Sequence, residues 1–141
     1  MPAPDANTPH SQCVLCGTQN PKSMKLTFHA QADDSVRASF QAHDSFQGYD
    51  GILHGGIIAA LLDSAMTHCL FHRGISGVTG ELRVRYRQAI PCGTTLDIWA
   101  RLMRARPPLY QLESEIRVEG QIMAWAEAKF MMRTKSDRPE G

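Results

Sequence analysis

Residues 51 to 72 read GILHGGIIAALLDSAMTHCLFH and carry one Asp, Glu, Lys or Arg side chain, Asp63. At 100° per residue, Ile57, Leu61, Ala65 and Cys69, with Ile58, Leu62, Met66 and Leu70, form a very wide apolar band. The stretch therefore predicts a buried helix. A lone carboxylate in such a helix must be neutralised, hydrogen-bonded or used. Gly56, Ala60, Asp63 and Thr67 fall in a narrow strip on the remaining side of the helix. Solvated helix faces carry Lys, Glu and Arg, and this strip has none. It reads as lining a cleft, with a cleft between two copies of the chain as one arrangement.

Outward from the helix the pattern changes to period two. Met24, Leu26, Phe28 and Ala30 interleave with Lys25, Thr27 and His29, and Val36, Ala38 and Phe40 with Arg37, Ser39 and Gln41. Asp33-Asp34-Ser35 supplies the turn, so the pair predicts a hairpin of two half-buried strands. After the helix, Leu82, Val84 and Tyr86 alternate with Arg83, Arg85 and Arg87. Three more alternating runs start at Leu96, Tyr110 and Ile122, separated by Pro107-Pro108 and by the tight turn Glu119-Gly120. The order is strand, strand, helix, four strands. One long helix among antiparallel strands has one economical solution, an α+β domain in which a six-stranded sheet curls around the helix and buries it.

The chain has 141 residues, 43% hydrophobic and 21% charged, and a net charge of +1. That size suits one globular domain, expected over residues 21–134, and the charge gives no basic field for nucleic acid. Residues 1–20 read as an N-terminal segment with a Cys-x-x-Cys-Gly motif, and 135–141 as a disordered tail. The first twelve residues, MPAPDANTPHSQ, lack the pattern of a signal peptide. No stretch approaches the ~20 apolar residues of a membrane span. A cytoplasmic protein with no membrane partner is the expectation, and its four cysteines should be mainly reduced thiols.

His54-Gly55-Gly56 opens the helix. The glycines either turn the corner into it or expose first-turn N–H groups, which lack intrahelical partners and sit at the positive end of the dipole. Such amides suit a carbonyl oxygen gaining negative charge. Asp63 lies roughly 10–12 Å further along the same helix at ~1.5 Å rise per residue. One substrate carbonyl cannot easily touch both, so a shared reaction centre calls for an antiparallel pair of helices from two subunits.

The stretch from Phe46 to Met66, with HGG followed by LLD, resembles the hotdog-fold acyl-CoA thioesterases of the phenylacetic-acid-pathway and 4-hydroxybenzoyl-CoA group. CVLCGTQNPKSMKLTF at residues 13 to 28 is similar to an opening that recurs among uncharacterised members, and the strand order matches over nearly the whole chain. The resemblance implies hydrolysis of an acyl-CoA thioester without metal or organic cofactor, in a homodimer joined by sheet edges or a homotetramer. It implies that Gly55 or Gly56 donates the backbone N–H that polarises the thioester carbonyl. Asp63 is then the catalytic carboxylate, as nucleophile or as general base on water. Thr67 matches a hydroxyl position that helps hold the water or the acid, and Gln47 lies near an Asn or Gln found ahead of HGG. Two other hotdog chemistries fit less well. Counting back from Asp63 by the spacing of hotdog dehydratases lands on Tyr49 rather than a histidine, and the hydratase motif Asp-x-Asn-Pro-x-His is absent. A non-catalytic acyl-CoA-binding protein would not need Asp63.

Cys13-x-x-Cys16 invites a half zinc site or a redox pair. A structural zinc needs four ligands and the close extra candidate is His10; a redox pair usually opens a helix after a strand. The reading adopted is a segment packed against the sheet, with no metal. Arg83 and Arg85 in the alternating ladder are either a solvated sheet face or an attraction for coenzyme A phosphates. His54 is either a substrate contact or a hydrogen-bonder at the helix start. His68 falls on the buried side and reads as a core histidine.

Overall fold

A computed structural model describes residues 10–133, so the expected tail at 135–141 lies outside the described residues. The strands are β1 (His29–Ala30), β2 (Val36–Gln41), β3 (Gly77–Tyr86), β4 (Thr95–Arg106), β5 (Leu109–Val118) and β6 (Gln121–Met132), and the helix is α1 (Gly55–His72). They form one antiparallel sheet of six strands in the order β1-β2-β4-β5-β6-β3. The expected hotdog architecture is present, with β1 and β3 at the two edges. No described helix is long and apolar enough to cross a membrane.

Why the helix lies on the sheet follows from the register. Cross-strand pairing aligns Ala38, Ile98, Ile116 and Ala124 in one inward row, and Val36, Ala100, Ser114 and Ala126 in the next. The second row is mostly small, which lets the backbone of α1 come close. Against it α1 buries Ile58, Leu61, Leu62, Ala65, Met66, Cys69 and Leu70 completely or nearly so. Burying a Leu or Ile side chain contributes roughly 1.5–3 kcal/mol, so this face anchors the helix. The helix stops at Arg73, whose N–H reaches the carbonyls of Leu70 and Phe71, and Gly74 takes the left-handed conformation that follows many helix ends.

One expected element is shorter than the alternation suggests. The strand read over residues 24–30 pairs as a strand only at His29–Ala30. Lys25 has a positive φ of 58°, which breaks the extended run. The backbone there bonds instead to the Cys-x-x-Cys loop, Met24 N–H to the Val14 carbonyl and Leu26 N–H to that of Leu15. Leu26 and Phe28 are still buried, so the alternation marked burial correctly without marking a ladder. The turn at Asp33 is present, its carboxylate accepting both the N–H and the hydroxyl of Ser35.

Candidate active site

Asp63 stands midway along α1, half-buried. Burial raises its pKa above the ordinary carboxylate value; the Thr79 hydroxyl and the charge of His10 pull the other way without cancelling it. Thr79 Oγ1 donates to Asp63 Oδ1 at 2.6 Å. That contact depends on an irregularity in β3. Thr79 pairs with Phe130 and Glu81 with Lys129, so Gly80 is an extra residue on the β3 side. Without it, Thr79 could not face the helix together with Leu82, Val84 and Tyr86, which lie three, five and seven residues on. The bulge re-aims one hydroxyl at the buried acid.

Thr67 was expected to help hold the acid or a water. Its hydroxyl donates to the main-chain carbonyl of Asp63 at 3.0 Å, one turn back, and the residue is buried. The hydroxyl on the carboxylate is that of Thr79, a residue the sequence reading did not single out. Along the strip Gly56 is exposed, Ala60 and Asp63 are partly buried, and Thr67 is buried, so the groove along the helix closes toward its C-terminal half.

At the other end of the strip, His54 caps the helix: its Nδ1 accepts the Gly56 N–H at 2.8 Å. The ring is therefore the tautomer with its proton on Nε2. This separates the two glycines. The Gly56 amide is already engaged, whereas the Gly55 N–H has no acceptor among the described residues. Gly55 also lies beneath the Tyr86 ring, and its carbonyl accepts the Tyr86 hydroxyl at 2.8 Å. Edge strand β3 thus touches the helix at both halves of the candidate site, Tyr86 at Gly55 and Thr79 at Asp63.

Gln47 is exposed, and its Oε1 closes a turn by accepting the Gly51 N–H at 3.0 Å. With Ser45, Phe46, His54, Gly56 and Ile57 it lines an open groove of about 310 Å³ at the start of α1. Arg83 and Arg85 are not brought to this groove. They pair across the sheet with Glu127 and Trp125, on the face turned away from the helix. There Arg83 lies 3.9 Å from Glu127, and the Arg85 guanidinium sits 6.0 Å from the centre of the Trp125 ring. The solvated-face alternative describes their surroundings. His68 is a core histidine, stacked on Phe28 at 4.7 Å, with burial lowering its pKa to about 4.

Residues 50–124 match the sequence model of the thioesterase superfamily. The chain is similar to acyl-coenzyme A thioesterase THEM4 of Rattus norvegicus, 30% identical over 77 residues, which are 55% of this chain and 33% of the rat protein. Among solved structures it is similar to a thioesterase superfamily protein with a TM-score of 0.76 and 28% identity, covering 82% of this chain and 60% of that one. A Streptococcus mutans protein solved bound to acetyl CoA has the same fold, with a TM-score of 0.72 at 21% identity, over 78% of this chain and 90% of that one. The chain thus spans a third of the curated relative it matches and less than two thirds of the first of these structures.

Proposed function

The chain belongs to the thioesterase superfamily, and on that premise we propose that it hydrolyses an acyl-CoA thioester to the free acid and coenzyme A. The observation that carries the reading is Asp63, a half-buried carboxylate held by one hydroxyl, on the same helix as an unengaged Gly55 amide. The acyl-CoA thioesterase name of the rat relative and the acetyl CoA bound to the Streptococcus mutans protein support coenzyme A thioesters as the substrate class.

In this reading the thioester carbonyl lies against the Gly55 N–H, which takes up the charge developing on its oxygen. Asp63 either removes a proton from the attacking water or attacks the carbonyl itself. In both cases a carbon–oxygen bond forms, the carbon–sulfur bond breaks and the coenzyme A thiolate leaves, taking up a proton from water. When Asp63 is the nucleophile, the acyl–Asp63 anhydride so formed is then hydrolysed by water to the free acid and the regenerated carboxylate. Hydrogen bonding from Thr79 orients the carboxylate and favours its ionised form. An Asp63 pKa raised by burial makes it a stronger base than a solvated Asp once ionised.

Gly55 and Asp63 are eight residues apart, which at ~1.5 Å rise puts them about 12 Å apart along α1. We therefore assign the two halves of one site to two subunits. The support is the edge of β3: ten residues long, unpaired on its outer side among the described residues, and bearing the exposed apolar side chains Val78, Leu82 and Tyr86. Such an edge is a template for pairing with another strand. A homodimer joined there places a second α1 beside the first.

The deciding experiment is a thiol-release assay across acyl-CoAs of varied length and aromaticity, on the wild type and on Asp63→Asn. Turnover of at least one substrate, abolished in Asp63→Asn, is expected. No hydrolysis of any substrate by the wild type would overturn the reading, and binding without turnover would indicate a carrier.

A further inference from the structure

The Cys-x-x-Cys loop has no part in the proposed reaction, yet the fold gathers ligand atoms around it. His10, Cys13 and Cys16 each present one such atom, all within 4.8 Å of one another. His10 Nδ1 lies 3.5 Å from Cys16 Sγ. Around a tetrahedral zinc with Zn–S of about 2.3 Å and Zn–N of about 2.05 Å, nitrogen and sulfur ligands sit about 3.6 Å apart. The spacing is that of two ligands sharing one ion.

The loop is also built as a knuckle. The Leu15 N–H is directed at Cys13 Sγ at 3.4 Å, and the Gly17 N–H closes onto the Cys13 carbonyl at 2.8 Å. A backbone donor on the sulfur, as Leu15 supplies, stabilises a metal-bound thiolate. Gly17 admits no side chain, since a Cβ there would lie 2.5 Å from Cys13 N and from the Ser11 carbonyl oxygen. The loop is seated firmly on the fold: Cys16 is buried, and the His10 ring packs edge-on against Phe71 of α1 at 4.7 Å. Behind the cluster, His68 Nε2 is buried without a hydrogen-bond partner among the described residues, its ring 6.4 Å from that of His10.

We propose that His10, Cys13 and Cys16 form a zinc site that pins the N-terminal segment to the C-terminal half of α1, beyond Asp63. Two thiols and an imidazole suit a borderline-soft cation such as Zn²⁺, and the fourth position is open to water. Binding releases the two thiol protons to solvent and changes no oxidation state. The alternative, a Cys13–Cys16 redox pair, calls for an exposed attacking thiol, whereas Cys16 is buried. The sequence offered His10 as the extra candidate beside Cys-x-x-Cys, and the fold brings its Nδ1 against Cys16 Sγ.

The test uses the full chain, reduced and metal-free, titrated with Zn²⁺ against a chromophoric chelator, and with Co²⁺ to look for thiolate charge-transfer bands. One equivalent of Zn²⁺ and thiolate bands with Co²⁺ are expected. Affinity should fall at least about tenfold in His10→Ala and in Cys13→Ser and stay unchanged in Cys92→Ser. Because Cys16 is buried and its variants can misfold, His10→Ala and Cys13→Ser carry the test. Thermal stability gives an independent readout: zinc should raise the melting temperature of the wild type and leave that of Cys13→Ser unmoved. Equal zinc affinity in wild type, His10→Ala and Cys13→Ser, or Co²⁺ binding without thiolate bands, would overturn the proposal.

Discussion

Gly55→Pro tests the two-subunit site directly. Gly55 is the first helical residue, where proline is well tolerated because the N–H it lacks has no intrahelical partner there. His54 before it is already extended, with φ −62° and ψ 133°, as a residue preceding proline requires. The atoms nearest a Cβ at Gly55 would be those of the Tyr86 ring, at 3.6 Å, an ordinary contact. The substitution therefore removes one N–H and leaves the fold in place. Losing a single oxyanion donor costs about 10²–10³ in kcat, so turnover should fall by that factor while the melting temperature holds. Mixing then decides the geometry. If Gly55 acts on the partner's Asp63, refolding Gly55→Pro with Asp63→Asn in equal amounts gives half heterodimers, each with one intact site of two. Activity should return to about a quarter of wild type in the thiol-release assay, from two parents that are each nearly inactive. Undiminished turnover in Gly55→Pro would refute the oxyanion role. Folded parents that exchange subunits yet regain no activity would refute the shared site.

Thr79→Val removes the hydroxyl on Asp63. A hydrogen bond to a charged group contributes about 1.5–3 kcal/mol, and at this partly exposed strand the lower figure applies, so turnover on the acidic limb of the pH–rate profile should fall about tenfold. The limb should move to higher pH and return toward wild type in Thr79→Ser; a profile that does not move would show that Thr79 only packs. Asp63→Asn should abolish turnover and raise stability at neutral pH. The folded carboxyl has a raised pKa, so the stability it contributes is present below the ordinary carboxylate pKa and lost as pH rises through the folded value. The melting-temperature gain of Asp63→Asn over wild type should accordingly close as the pH is lowered, and a gain independent of pH would contradict the burial argument. His54→Ala removes the helix cap at a cost of about 1 kcal/mol, seen as a melting temperature lower by a few degrees, with substitution by Asn restoring most of it. Unchanged stability in His54→Ala would mean that the Gly56 N–H does not depend on the ring.

The fold was legible because its signals are periodic and redundant. The apolar band of α1 survives the loss of any one residue, and the runs from Leu96, Tyr110 and Ile122 alternate regularly enough that the inward rows through Ile98 and Ala100 could be read before the register, with its bulges at Met103 and Met123, was known. Reading failed where a local conformation broke the period. Lys25 turns left-handed and hands its strand's backbone bonds to the Cys-x-x-Cys loop. Gly80 inserts one residue into β3, so the alternation visible from Leu82 runs out of phase with Thr79. A period-two reading extended back through the bulge would have placed Thr79 on the outer face.

The candidate site divides along the same line. Asp63 and the glycines at the helix start could be found from sequence because each is an exception to its surroundings: a charge in an apolar helix, and missing side chains where a helix begins. Their partners could not, because they come from elements distant in the chain. Thr79 reaches Asp63 across sixteen positions and Tyr86 reaches Gly55 across thirty-one. Thr67, placed one turn from Asp63 on the same face, was the natural choice for the hydroxyl, yet its nearest acceptor is the carbonyl a turn behind it, which a buried helical Thr satisfies first. The acid is left to be held from the sheet. It is held, moreover, by the strand that ends the sheet among the described residues, so pairing at the edge of β3 would act on Thr79 and Tyr86 together. Assembly and the alignment of Asp63 with Gly55 are then one event, and a variant that stays monomeric should lose turnover while keeping its folded core.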